Sequence, residues 1–282
     1  MIYLSTGLLE KKFTSDLVNH LHDLKIYNLE LSSGPFEKNI NNFLITQYKE
    51  KNNKFLIHNY FPVPKKPFVL NLASNKKKIR NQSIKLAKNA IQLSNKIGGK
   101  FYSFHAGFLI DPSVKSLGKK IAEKLKITPR EIAIKNFIES VKILSLYAKK
   151  YGVNLLIENN VLTKKNYSRF NGDPFLLTEA KETNTIMSLL PNNVHLLLDV
   201  GHLNVTSKTL KFDRVDFIKK CNKWIRGYQL SENNGLEDQN KLVKINSWFF
   251  KYLKKNKFYS LEIKLKDFKA AKNQINIVNR YV

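Results

Sequence analysis

Val194-His195-Leu196-Leu197-Leu198-Asp199-Val200-Gly201-His202 is an apolar run that ends in an aspartate, a glycine and a histidine. A parallel strand inside an α/β protein reads as a continuous apolar run, because both of its faces are covered. Such folds build their sites where strands leave the core, at the C-terminal ends. Asp199 and His202 are oxygen and nitrogen donors at such an exit. Taken alone, the stretch reads as an aspartate capping the next helix and a histidine filling a turn. The functional reading depends on whether other strands end in the same way.

Outward from this stretch, strand-like runs alternate with helix-like ones along the whole chain. Strands are predicted at 2–5, 27–31, 54–58, 101–105, 153–158, 194–199, 225–230 and 258–263. Helices are predicted near 14–24 (Thr14 or Ser15 as cap), 36–49, 74–97, 129–150, 175–189, 213–221, 245–254 and 268–278. Gly98-Gly99 closes one helix, and Thr128-Pro129-Arg130-Glu131 opens another with a capping pattern. A short helix is also expected between Gly107 and Thr128. The segment 59–74, with Pro62, Pro64 and Pro67, is long for an α/β connection and reads as a lid.

Eight strand-helix units without a break in composition predict one α/β domain over residues 1–282, a closed (β/α)8 TIM barrel. An open doubly wound sheet is the alternative. Against it, no glycine-rich phosphate loop follows the first strand.

Bulk composition narrows the class. No apolar run reaches the length of a membrane span, and the N-terminus lacks the basic and long apolar regions of a signal peptide. The single cysteine, Cys221, excludes an internal disulfide and a cysteine-based zinc site. The expectation is a soluble, cytoplasmic protein with no membrane partner. The net charge of +27 would attract nucleic acid or phosphorylated ligands. The lysines are spread along the chain, however, which fits a solvated surface better than a nucleic-acid footprint.

The strand ends carry Glu30, His58, His105, Glu158, Asp199 with His202, Gln229 with Ser231 and Glu232, and Glu262. In a closed barrel these groups converge. A carboxylate inside an apolar strand is costly to bury unpaired, and a divalent cation would offset Glu158, Asp199 and Glu262 together. Oxygen-rich ligation favours one manganese or magnesium, with zinc or cobalt as alternatives.

These residues resemble the xylose isomerase-like TIM barrel superfamily, which includes sugar and sugar-phosphate isomerases and epimerases and the apurinic/apyrimidinic endonucleases. The carriers are Ile57-His58-Asn59-Tyr60-Phe61, Leu70-Asn71-Leu72-Ala73-Ser74, Phe104-His105-Ala106-Gly107, Ile157-Glu158-Asn159, Leu198-Asp199-Val200-Gly201-His202, Gln229-Leu230-Ser231-Glu232 and Leu261-Glu262-Ile263. The resemblance to the sugar branch implies a metal held by Glu158, Asp199, Gln229 and Glu262, with Gln229 where histidine is frequent. It implies Glu158 and Glu262 as the paired acid and base. His58, His105, His202 and Glu232 are the implied substrate-binding residues. An arginine that some epimerases carry just after the seventh strand is missing near Gly235.

The expected substrate is a sugar or sugar phosphate, isomerised or epimerised by proton transfer beside a carbonyl; loss of a β-hydroxyl would make a dehydratase. The endonuclease branch is the second reading. His58, His105, Glu158, Asp199, His202, Asp238 and Glu262 match its trinuclear zinc pattern, but Gln229 and Asn240 stand where two histidines belong. A catalytically inactive binding barrel is the third. A homo-oligomer is compatible with an exposed pair among Trp224, Trp248 and Phe249, which otherwise read as packing aromatics. His20 and His22 read as surface residues, and His195 as structural at the strand end opposite the site.

Overall fold

The structure, a computed structural model, describes all residues except 8, 10–12, 117–124 and 266. The eight strands are β1 Ile2–Ser5, β2 Asn28–Leu31, β3 Lys54–His58, β4 Phe101–His105, β5 Asn154–Glu158, β6 Val194–Asp199, β7 Ile225–Leu230 and β8 Phe258–Leu261. They pair in sequence order, all parallel, and β8 closes on β1. This is the predicted closed (β/α)8 barrel.

Side chains alternate along each strand, so every second residue points into the barrel. The outward residues, such as Leu4, Leu29, Tyr102, Leu155, Leu198 and Leu261, join the large core under the helices. The inward residues change character along the axis. Near the strand starts, Tyr3, Leu56, Leu156, Leu197 and Phe258 form a separate apolar plug, with Phe101 against it. Gly227 makes room for this plug: a Cβ there would lie 2.3 Å from the Phe258 ring. One step further along, the same inward alternation delivers Ser5, Glu30, His58, Ser103, Glu158, Asp199, Gln229 and Ser260. A greasy floor beneath a polar layer is therefore written into the period-two pattern of the strands.

The helices are α1 Thr14–Asp23, α2 Ile40–Lys51, α3 Lys77–Lys96, α4 Arg130–Lys150, α5 Lys164–Phe170, α6 Ala180–Ser188, α7 Val200–Leu210, α8 Arg214–Cys221 and α9 Lys269–Asn279. Two differ from expectation by being present. α5 fills what read as a polar loop, opened by the Thr163 side chain accepting from Asn166 N–H. α7 starts on the residue after β6, although its valines, threonines and glycine are weak helix formers. Residues 200–207 are all buried, so packing overrides propensity there.

The helices predicted at 36–49 and 175–189 begin late, at Ile40 and Ala180. The helix predicted at 245–254 shrinks to a single turn, Phe250–Tyr252. Ser247 Oγ accepts from Lys244 N–H and holds a local turn in its place. The N-terminus of α1 is capped neither by Thr14 nor by Ser15 but from a distance. The Glu37 carboxylate accepts from Thr14 N–H at 2.5 Å and from Ser15 Oγ at 2.6 Å. The short helix expected between Gly107 and Thr128 falls partly on 117–124, outside the described residues; Val114–Ser116 form one turn before it.

The lid expected at 59–74 is instead a packed wall over its second half. Residues 69–74 are all buried. Asn71 binds them to the loop after β4: its amide nitrogen reaches Phe108 O, Ile110 O and Asp111 Oδ1, and its oxygen accepts from Phe108 N–H and Ala73 N–H.

Candidate metal centre

The centre is built around Glu158, at the end of β5 and fully buried. Three histidines surround its carboxyl. His58 Nε2 lies 3.3 Å from Oε2, His105 Nδ1 lies 3.2 Å from Oε2, and His202 Nδ1 lies 2.9 Å from Oε1. His58, at the end of β3, is oriented from behind by Ser103 Oγ, 2.9 Å from its Nδ1. The rings of His105 and His202 stack at 5.7 Å. His105, whose side chain is 28% exposed, is the histidine that reaches solvent, because His58 and His202 are buried.

Asp199 ends β6 and caps α7. Its Oδ1 accepts from His202 N–H at 2.7 Å, as the capping interpretation of the sequence requires. The side chain of Asn159 holds the backbone of Asp199 at both its N–H and its carbonyl. Gly201 lets the loop after β7 close over this corner, since a Cβ there would lie 2.5 Å from Ser231 Oγ. The capping and ligand readings of Asp199 thus coexist: one oxygen serves the helix, and Oδ2 has no hydrogen-bond partner.

Unpartnered buried atoms test whether the residues suit a cation. Glu158 Oε1 and Oε2, Asp199 Oδ2 and Gln229 Oε1 lack hydrogen bonds among the described residues, and all three side chains are fully buried. Two groups place donor atoms within 4.8 Å of one another: Glu158, Asp199 and His202, and His58, His105 and Glu158. Buried oxygens without hydrogen bonds, close to other ligand-type atoms, are what a divalent cation would satisfy. The donor set therefore fits the implied metal.

Electrostatics give the same picture. Burial pushes Glu158 up to about 8, against the pull of His202, and pushes Asp199 up to about 6. Burial, then the charges of Glu158, Asp199 and Glu30, hold Glu262 well above the usual carboxylate range. Burial lowers His58 to about 3, and burial with the neighbouring histidines keeps His105 well below its ordinary value. His202 is the exception. Burial opposes its charge, but Asp199, Glu158 and Asp238 outweigh that and raise it well above its ordinary value.

Of the residues singled out in the sequence, Glu158, Asp199, His58, His105 and His202 come together directly. Gln229 faces Asp199 across β6 and β7 in register. Its Nε2 donates to Glu30 Oε1 at 3.0 Å. Glu262 lies one residue beyond β8, its N–H bonded to Leu230 O, and keeps partial access to solvent. Glu232 stands apart: its backbone pairs with Lys241, and its carboxylate favours the charge of Arg214.

Two residues gain importance over the sequence reading. Asp238, on the loop after β7, places Oδ2 3.4 Å from His202 Nε2. Glu30 was one polar strand end among several; it is fully buried, and burial raises it to about 7, offset in part by Gln229, Ser260 and Ser5. Its signal was a carboxylate inside Asn28-Leu29-Glu30-Leu31, a strand too apolar to carry it without a partner.

His195, at the other end of β6, is partly buried beside Arg226 and Lys257, away from the site. His20 is exposed, and His22 is half-buried with its Nδ1 3.2 Å from Asn53 Oδ1. Phe249 and Cys221 are buried in the core, with Trp224 and Trp248 packed against it. No helix among the described residues is long and apolar enough to cross a membrane.

Comparisons with known proteins fit this geometry. A D-tagatose 3-epimerase-like protein superposes with a TM-score of 0.71 at 16% identity, covering 99% of this chain and 98% of that one. D-psicose 3-epimerase from Clostridium cellulolyticum H10, solved with D-tagatose, gives 0.64 at 13% identity over 99% and 94%. A Thermus thermophilus protein soaked with ZnCl2 gives 0.65 at 15% identity over 99% and 98%. At such identities the likeness establishes the fold. No curated protein sequence matches the chain. Residues 42–270 match the family described as xylose isomerase-like TIM barrel, and with the closed barrel and the ordered strand-end residues, the chain belongs to that family.

Proposed function

We propose that the protein is a divalent-metal-dependent sugar or sugar-phosphate isomerase or epimerase that moves a proton beside a carbonyl. The observation that carries this reading is the buried pair Glu158 and Asp199 beside His202 at the ends of adjacent strands, with Asp199 Oδ2 left without a partner. Glu158, Asp199, Gln229 and Glu262 are the proposed ligands, with manganese or magnesium favoured by the oxygen-rich set. When bound, the cation would polarise the substrate carbonyl and make the neighbouring C–H acidic.

The chain's own residues do the rest. Glu158 and Glu262 stand on strands three places apart in the ring, so they approach a substrate from different sides. One takes the proton and the other returns it. Glu262 keeps partial contact with solvent, whereas Glu158 is sealed under three histidines. His202, with Nδ1 facing Glu158 Oε1 and Nε2 facing Asp238 Oδ2, would lend positive charge near an enolate oxygen. His105, neutral and reaching solvent, is placed to bind a substrate hydroxyl, with His58 behind it.

The test is proton exchange. Wild-type protein with Mn2+, incubated with a panel of ketoses and ketose phosphates in D2O, should place deuterium on the carbon next to the carbonyl of its substrate. Glu262→Gln should abolish this while leaving the fold intact; full exchange in that variant rules out its acid-base role.

A second reading keeps support from two contacts, the His58–His105–Glu158 group and Asp238 against His202. These suit more than one metal, as in an endonuclease acting on abasic DNA. Against it, Gln229 and Asn240 lack imidazoles, and Asn240 lies buried in a left-handed turn with its carbonyl accepting from Lys264 N–H. Three bound metals per chain with nicking of abasic DNA would establish that reading and displace the first.

A further inference from the structure

The primary amide of Gln229 has two ends, and only its oxygen has a lone pair for a cation. Turned the other way, it would aim two N–H bonds at the centre and repel one. What decides between these orientations is visible across the barrel. Gln229 sits on β7 and Glu30 on β2, three places away around the ring, yet Gln229 Nε2 donates to Glu30 Oε1 at 3.0 Å. Both side chains are fully buried. With its nitrogen committed to that carboxyl, the amide presents Oε1 to the other side, where the atom has no hydrogen-bond partner. Asp199, in register with Gln229 on β6, also has one unpartnered oxygen.

We propose that Glu30 is a positioning residue for the metal: by holding the Gln229 amide nitrogen, it locks the carbonyl oxygen toward the cation. The proposal rests on the metal-dependent reading above. It gives a fully buried carboxylate a task, and it explains how a glutamine serves on β7 where an imidazole would need no such choice of end. Partners behind a ligand typically change metal affinity by about 10- to 100-fold when removed.

The test is Mn2+ binding, measured by loss of the free-ion electron paramagnetic resonance signal, in wild type and three variants. Circular dichroism of the metal-free proteins checks the fold. In Glu30→Gln the residue at 30 no longer selects one end of its partner, and Mn2+ affinity should fall about 10-fold or more. In the exchange variant, Glu30→Gln with Gln229→Glu, an amide N–H again faces one oxygen and leaves the other to the cation. Its affinity should return to within a few-fold of wild type, which a loss through general packing would not allow. Glu30→Asp, one methylene short of its partner, should weaken binding and serves if Glu30→Gln does not fold. Wild-type affinity in both Glu30→Gln and Glu30→Asp overturns the positioning role, as does failure of the exchange to restore binding. A wild type that binds no Mn2+ overturns the metal reading itself, a result distinct from either of these.

Discussion

Glu158→Gln should make the metal-free protein more stable, and the gain should grow with pH. The folded chain holds the Glu158 proton to about pH 8, whereas an unfolded glutamate releases it near 4.5. Folding therefore binds a proton across that window, and stability falls as pH rises through it. Each pH unit costs about 1.4 kcal/mol for one proton. Between pH 6.5 and 8 wild type should lose ~2 kcal/mol through this group alone.

His202, also raised, adds loss of the same sign above 6.5. His58 and His105, both lowered, act with the opposite sign, but only below 6.5. A glutamine keeps the shape and does not titrate, so the gap between variant and wild type should close near pH 4.5. It should widen by ~2 kcal/mol from pH 6.5 to 8, or about 4–8 °C in Tm. Thermal melts in EDTA across pH 4.5–8.5 measure it. Saturating Mn2+ at pH 8 should narrow the gap, raising wild type by ~3 kcal/mol at a hundredfold excess over Kd and the variant by less. Parallel pH profiles for the two proteins, or a variant less stable than wild type at pH 8 in EDTA, would refute the assignment of a buried, proton-holding Glu158.

Three further outcomes follow from the same geometry. Phe258→Ala should empty the barrel plug and cost ~3–5 kcal/mol in urea unfolding, with Mn2+ binding retained in the folded fraction, because the plug lies below the polar layer. Asn71→Ala should strip partners from Phe108 N–H and three oxygens at once and cost about 3 kcal/mol; hydrogen exchange should rise first at residues 69–74. Chelation should stop the deuterium exchange proposed for the enzyme, and Mn2+ or Mg2+ should restore it; exchange that survives EDTA and dialysis would refute the metal requirement.

The sequence carried the architecture because eight apolar runs alternated with helices. The convergence of Glu158, Asp199 and the histidines was legible because the inward alternation of parallel strands is rigid. What it hid depended on contacts between distant residues. α7 was invisible because its residues are poor helix formers, stabilised by burial and by the Asp199 cap. The helix expected at 245–254 did not form, because Ser247 and a run of aromatics settle into turns and ring contacts, among them Phe250 stacked on Tyr281 at 4.0 Å. Proline-rich 59–74 read as a lid, and only the contacts of Asn71 reveal that 69–74 pack as a wall. Glu30 could be identified as a costly buried charge, but its partner lies 199 positions away in the chain.

The plug formed by Tyr3, Leu56, Leu156, Leu197 and Phe258 also governs traffic. With that end of the barrel shut by side chains, a substrate of the proposed reaction would have to reach the polar layer from the other end. Product of that reaction would then leave by the same end that admits substrate, and the two would compete for it. Turnover in such a vessel is sensitive to accumulated product, and an isomerase or epimerase, whose product closely resembles its substrate, would run readily in either direction as concentrations dictate.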